Sequence, residues 1–110
     1  MIIVDTNALI YSVKQKVNLR KFVDEDIAVP SSVIAELDSL SKNLEAAKVA
    51  RIVASRFQVL QVSRSGDQGV VEAAKKYGGK VLTNDRDLIK TLRNENVQIL
   101  SVSKGSVRKI

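Results

Sequence analysis

The chain has 110 residues and is 45% apolar, enough for one small domain with one core. It contains no cysteine and no histidine, which excludes a disulfide scaffold, Ser-His and Cys-His nucleophiles, imidazole acid–base chemistry and the usual zinc sites. Hydrolytic chemistry must therefore run on carboxylates, Lys, Tyr, Ser or Thr, or a metal held by oxygen, and a net charge of +6 favours a polyanionic partner such as nucleic acid.

Short β-rich runs alternate with helical patterns along the chain. Ile2 to Val4 is short and β-branched and predicts a buried strand. Thr6 or Asn7 can cap a helix carrying Leu9, Ile10 and Val13, and a second helical patch follows around Leu19 to Val23. Ile27-Ala28-Val29 predicts a strand closed by Pro30. Ser31 or Ser32 starts a helix with Val33, Ile34, Leu37 and Leu40 at helical spacing. Asn43 opens another, with Leu44, Ala47, Ala50 and Val53 on one face. Phe57 to Val62 is a third strand, Asp67 to Tyr77 a helix ended by Gly78-Gly79, and Lys80 to Thr83 a fourth strand. Asp85 to Asn94 is a helix with Leu88, Ile89 and Leu92 inward. Val97 to Val102 is a fifth strand, and Ser103 to Ile110 reads as a basic tail of uncertain order.

The pattern predicts one domain over residues 1–110, an α/β three-layer sandwich around a mainly parallel, five-stranded sheet. No stretch approaches the roughly 20 apolar residues of a membrane span. The opening Met-Ile-Ile-Val-Asp has no basic leader, so a cytoplasmic protein is expected. The aromatics are only Tyr11, Phe22, Phe57 and Tyr77, too few for a base-stacking platform.

Four acids fall at the carboxyl ends of the predicted strands, where sites form in such sheets. Asp5 follows the first strand, Asp85 the fourth, Asp67 opens the helix after the third, and Glu36 lies inside the helix after the second. Four carboxylates on one rim repel one another, and a divalent cation removes that repulsion. Hard oxygen ligands match Mg²⁺ or Mn²⁺, one or two ions of which can activate water and clamp a phosphate. Each acid also has a structural reading. Asp67 and Asp85 are placed as helix N-caps, and Glu36 could be a solvated surface residue. A capping box does not explain Glu36, because Val33 stands three residues before it. Asp87 could supply an extra ligand, and Thr83, Asn84 and Asn7 could support the acids by hydrogen bonds. Arg86, Lys48, Arg51 and Lys14 are candidates for contacts to RNA phosphates.

These residues also carry a resemblance. Ile2-Ile3-Val4-Asp5-Thr6-Asn7, Val33-Ile34-Ala35-Glu36-Leu37, Gly66-Asp67 with Val70, and Leu82-Thr83-Asn84-Asp85-Arg86-Asp87-Leu88 together resemble the PIN domain family. The family's four acids fall on Asp5, Glu36, Asp67 and Asp85, and its hydroxyl before the last acid on Thr83. The resemblance implies Mg²⁺- or Mn²⁺-dependent endoribonuclease activity leaving a 5′-phosphate and a 3′-hydroxyl. It implies two settings: a homodimeric toxin of the VapC type held by an antitoxin, or an RNA-processing nuclease with a ribosome-processing partner. Gln68 stands where many relatives have a further acid, which bears on a second metal.

Two other functions compete. A catalytically silent RNA- or protein-binding module would share the fold but have no reason to keep four acids on one rim. A phosphoacceptor also places an Asp after the first strand, but Asn7 stands where the phosphatase motif needs a second Asp.

Overall fold

The computed structural model describes residues 1–110. In chain order the elements are β1 (Ile2–Val4), α1 (Thr6–Lys14), a short 3-10 turn (Leu19–Lys21), β2 (Ile27–Pro30), α2 (Ser31–Leu40), α3 (Glu45–Ala54) and β3 (Gln58–Leu60). Next come α4 (Gly66–Ala73) with a wide π-type turn (Ala74–Gly78), β4 (Lys80–Leu82), α5 (Arg86–Asn94), β5 (Ile99–Ser103) and β6 (Ser106–Lys109). The sheet order is β3-β2-β1-β4-β5-β6, parallel from β3 to β5, with β6 antiparallel to β5.

Why β1 is central follows from its composition. Ile2, Ile3 and Val4 are all buried, on both faces of the sheet, as a strand covered by helices on either side requires. Ile2 pairs with Ile27 of β2 and with Lys80 of β4. From β1 the chain crosses by α1 to β2, then by α2 and α3 to β3 at the edge. It returns by α4 to β4 on the other side of β1 and continues by α5 to β5. Right-handed crossovers put α1 to α3 on one face and α4 and α5 on the other. The direction of winding reverses between β1 and β4. That pair of strands frames a crevice at its carboxyl ends.

The core runs through both layers. Leu9 of α1, Leu37 of α2 and Ala50 of α3 are fully buried on one side, and Val70, Leu88 and Leu92 supply α4 and α5. No helix is long and apolar enough to cross a membrane.

Two expectations are corrected. The sheet has six strands rather than five, because Ser103 to Ile110 is no loose tail. Ser103 pairs with Ser106 and Val102 with Val107, and Lys104-Gly105 makes the turn, with Gly105 at φ +81°. The basic residues mask this hairpin in the sequence, although Val107 packs against the core. The helix that carries Val53, α3, also differs in its start: Leu44 rather than Asn43 precedes its first residue, without a side-chain cap.

The amino end of the sheet is tied by one acid. The Glu25 carboxylate accepts from the Met1 amino group at 2.8 Å and from the Lys80 ammonium, joining the starts of β1 and β4. The Lys80 and Met1 hydrogen bonds hold its carboxyl down at about 2. A depressed carboxyl contributes stability above its ordinary value, and that contribution is lost as pH falls through the folded value. Glu25→Gln should therefore lower the melting temperature at pH 7, and the gap from the wild type should close between about pH 4.5 and pH 2. Parallel melting curves over that range would show a gap independent of pH if the tie contributes nothing.

Candidate metal centre

Asp5 leaves the end of β1 with extended backbone and caps α1 itself: its Oδ1 accepts from the Thr6 amide at 2.9 Å. The expectation that Thr6 or Asn7 would cap this helix is thus replaced by a two-part arrangement. Thr6 turns inward and Asn7 is exposed. On its other oxygen Asp5 accepts from the Thr83 hydroxyl at 2.9 Å, across the reversal point between β1 and β4. Thr83 in turn accepts from the Asp85 amide at 3.0 Å. The Thr6 hydroxyl donates to Glu36 Oε1 at 2.7 Å. A continuous chain of hydrogen bonds therefore runs Glu36, Thr6, Asp5, Thr83, Asp85, drawing on α2, α1, β1, β4 and the start of α5.

The middle of that chain is dry. Asp5, Thr6 and Thr83 are 4%, 1% and 0% exposed, whereas Glu36 and Asp67 are open to solvent and Asp85 is half-buried. Burying a carboxylate disfavours its charged form. Burial pushes the Asp5 carboxyl up to about 6; the Thr83 and Thr6 hydrogen bonds oppose the rise, and the negative charges of Asp67 and Glu36 add to it. The Asp67 carboxyl is also raised, first by partial desolvation and then by the charges of Asp85, Glu36 and Asp87. The charges of Asp67 and Glu36 thus act on Asp5, and those of Asp85, Glu36 and Asp87 on Asp67. No three of them are closed to metal-holding spacing.

Asp85 does two things. Its Oδ1 accepts from the Asp87 and Leu88 amides at 2.9 and 3.0 Å, so the structural reading of this acid as an N-cap holds. Its Oδ2 has no protein donor and is left for the rim. Asp67, in the first turn of α4, accepts no hydrogen bond at all, so the N-cap reading does not hold for it; Ser65 precedes the helix instead. The donor set available is thus one oxygen each of Glu36 and Asp85, both of Asp67, the remaining lone pairs of Asp5, and the exposed Asp87. All are hard oxygens, which fits Mg²⁺ or Mn²⁺ and no softer ion.

The supporting residues divide. Thr83 is bound to the acids as expected, and Thr6, which sequence reasoning treated only as a cap, proves equally bound to them. The signal for it was its adjacency to Asp5, not a motif. Asn84 turns away: its amide donates to the Val102 carbonyl at 2.7 Å and its carbonyl accepts the Val102 amide at 2.9 Å, pinning the loop to β5. Among the cations, Arg86 is exposed beside Asp85 at the start of α5. Arg51 is bound to Asp38 at 2.8 Å and Lys48 lies 3.6 Å from Glu45. Lys14 ends α1, roughly 13 Å down the helix axis from Asp5, and is not brought to the rim. The largest cavity, about 780 Å³, lies at the opposite, amino edge of the sheet among Val13, Leu19, Ile27, Val53 and Phe57, and includes none of the five acids.

Residues 2–104 match the family model described as a PIN like domain. The chain belongs to the PIN-like domain family. Ribonuclease VapC9 of Archaeoglobus fulgidus is similar to it at 31% identity, over 88% of this chain and 78% of that one. Among solved structures, that of the PIN domain endonuclease Utp24 superposes with a TM-score of 0.84 at 26% identity, covering 98% of this chain and 89% of the other. A domain of a functionally unknown protein from Methanocaldococcus jannaschii shares the fold, with a TM-score of 0.68 at 16% identity over 93% and 90% of the two chains. In this PIN domain, then, the family fold brings the acids to the carboxyl edge of a mostly parallel sheet.

The raised Asp5 carboxyl has a consequence for the metal-free protein. Between its ordinary value of 3.8 and about 6 the folded state holds the proton more tightly than the unfolded chain, so stability falls as pH rises through that window. Above pH 6 the whole cost is present. Asp5→Asn removes it but leaves the Thr83 hydroxyl without its anionic acceptor. The net expectation is a gain of about 1–2 kcal/mol at pH 7, out of roughly 3 kcal/mol for the full shift. Urea unfolding in chelator at pH 4 and pH 7 measures this; a variant less stable than the wild type at pH 7 contradicts it.

Proposed function

We propose that this PIN domain is a divalent-metal-dependent endoribonuclease that uses Asp5, Glu36, Asp67 and Asp85 to hold Mg²⁺ or Mn²⁺, with Asp87 as a further ligand. The observation that carries the proposal is the buried Asp5 carboxylate, fixed by one donor at the start of α1 and another just after β4, and facing other acids with which it shares no compensating cation. A residue that only capped a helix would not need to be buried, nor bound a second time across the sheet. Its relatives' names, a ribonuclease and a PIN domain endonuclease, support the same chemistry and an RNA substrate.

Asp5, Glu36, Asp67 and Asp85 would hold a divalent ion, whose chemistry here would be to make water ionisable and to offset charge on a phosphate. The protein's own part is positioning. Thr83 and the Thr6 amide fix both oxygens of Asp5, and the Thr6 hydroxyl orients Glu36. The cap at Asp85 holds one oxygen and leaves the other directed by the first turn of α5. Arg86, next to that turn, is the cation best placed to meet an RNA phosphate; Lys48 and Arg51, already paired with acids, are weaker choices.

Two cellular settings follow from the family likeness: a VapC-type toxin, homodimeric and restrained by an antitoxin in the cytoplasm, or a nuclease that processes ribosomal RNA precursors. Of these we favour the first, because VapC9 is similar to the chain over most of both lengths. Growth arrest on induced expression, relieved by Asp5→Asn, is the expected result; unaffected growth with accumulation of uncut precursor in its absence points to the second.

The direct test is cleavage of an end-labelled single-stranded RNA with chelator, Mg²⁺ or Mn²⁺. Cutting should require the metal and leave 5′-phosphate ends. Asp5→Asn, Glu36→Gln and Asp85→Asn should each nearly abolish it with the fold intact. Thr83→Val, which leaves every acid in place, should cost about 10–100-fold, the usual effect of removing a group that orients a ligand. RNA binding without cutting at any metal concentration would instead identify a catalytically silent binding module.

A further inference from the structure

Of the three solvent-exposed acids of the set, Glu36 and Asp67 sit on α2 and α4, and these helices pack directly on each other. They come close together at Gly69. A Cβ built on Gly69 would lie 2.3 Å from Ser32 Oγ, 2.7 Å from Ser32 Cβ and 2.6 Å from the Arg64 carbonyl oxygen. Ordinary contact begins at 3.4 Å, so one methyl group would force the helices or the loop apart by about 1 Å.

Neither neighbour can yield cheaply. The Ser32 hydroxyl is already buried without a hydrogen-bond partner, at the first turn of α2. That oxygen can rotate, but the Ser32 Cβ is fixed by the α2 backbone, so its 2.7 Å contact is not relieved by a side-chain turn. On the other side, the Arg64 carbonyl is backbone, and its segment is clasped. The Glu72 carboxylate accepts from the Ser63 amide at 2.9 Å, from the Arg64 amide at 2.9 Å and from the Ser63 hydroxyl at 3.0 Å. Gly66, at φ +58°, makes the left-handed step from that loop into α4. The entry to α4 is therefore held from below by Glu72 and pressed against α2 through Gly69. Asp67 lies between these two fixed points, with no hydrogen bond of its own to hold it.

We propose that Gly69 is a positioning residue: the absence of a side chain there sets the separation of Glu36 and Asp67, and through it the affinity of the acid rim for a divalent cation. The inference rests on the reading of these acids as a metal centre. In sequence, Gly69 interrupts a helical pattern at a helix-disfavoured residue; the close approach to Ser32 explains why.

Mn²⁺ titrations followed by the EPR signal of the free ion test it in four proteins. Gly69→Ala should bind Mn²⁺ on the order of tenfold more weakly than the wild type. Ser32→Gly combined with Gly69→Ala removes two of the three clashes and should recover most of the loss. Ile99→Ala, in the core of β5, should lower the melting temperature with Mn²⁺ affinity unchanged, which separates positioning from general destabilisation. Should Gly69→Ala fail to fold, Ser32→Val presses the same contact from the α2 side with Gly69 intact and should weaken binding alike. Equal affinity in Gly69→Ala and the wild type overturns the inference, as does an equal loss in Ile99→Ala. Absence of binding in the wild type overturns the metal reading and this inference with it, and is told apart by the wild-type titration alone.

Discussion

The rest of the site depends on one hydrogen bond, from the Thr83 hydroxyl to the inner oxygen of Asp5. It spans β1 and β4, the pair of parallel strands between which the chain reverses its direction of winding. At such a reversal the crossovers leave in opposite directions and the strand ends are left uncovered, so polar groups can gather there without a helix lying over them. Thr83 is fully buried and its oxygen also accepts the Asp85 amide. One hydroxyl thus fixes the acid after β1 and the start of the helix that carries the acid after β4.

That arrangement runs against stability. Asp5 is buried among carboxylates, and its pKa is raised despite two donors directed at it. Folded proteins tolerate such a group where binding or chemistry uses it, since shifted acids cluster at functional sites. The same protein deals differently with the acid at the other edge of the sheet: Glu25, partly exposed at the opposite end of the same strands, has two cations and a depressed pKa. The contrast between the two ends of β1 and β4 is the contrast between an acid paired with cations and an acid held by uncharged donors. The amino end is closed by opposite charges, while the carboxyl end is held together by neutral hydroxyls and left with a negative charge.

Much of this was legible in the sequence. The β-branched run at Ile2 to Val4, the glycine pair at Gly78-Gly79 and the helical spacing of Val33, Leu37 and Leu40 each specify an element through burial or backbone freedom alone. The acids followed from their position after strands. Three features were not legible. β6 is short, basic and only half-buried, so its alternation is weak, and what fixes it is a turn at Gly105. Thr6 looked like a cap because its role as donor to Glu36 depends on how α2 lies beside α1, a tertiary fact. Asn84 looked like a partner for the acids because it stands between Thr83 and Asp85, yet its side chain is spent on the backbone of Val102. Neighbouring residues in a loop point in different directions, and spacing alone does not say which.

The most direct test of the account is the position of a bound ion. Crystals grown with Mn²⁺ and measured at the manganese absorption edge should give an anomalous peak at the carboxyl ends of β1 and β4, roughly 2.0–2.3 Å from an Asp5 oxygen and from at least one of Glu36, Asp67 and Asp85. A peak bound only elsewhere on the surface, or none at saturating Mn²⁺, would contradict it.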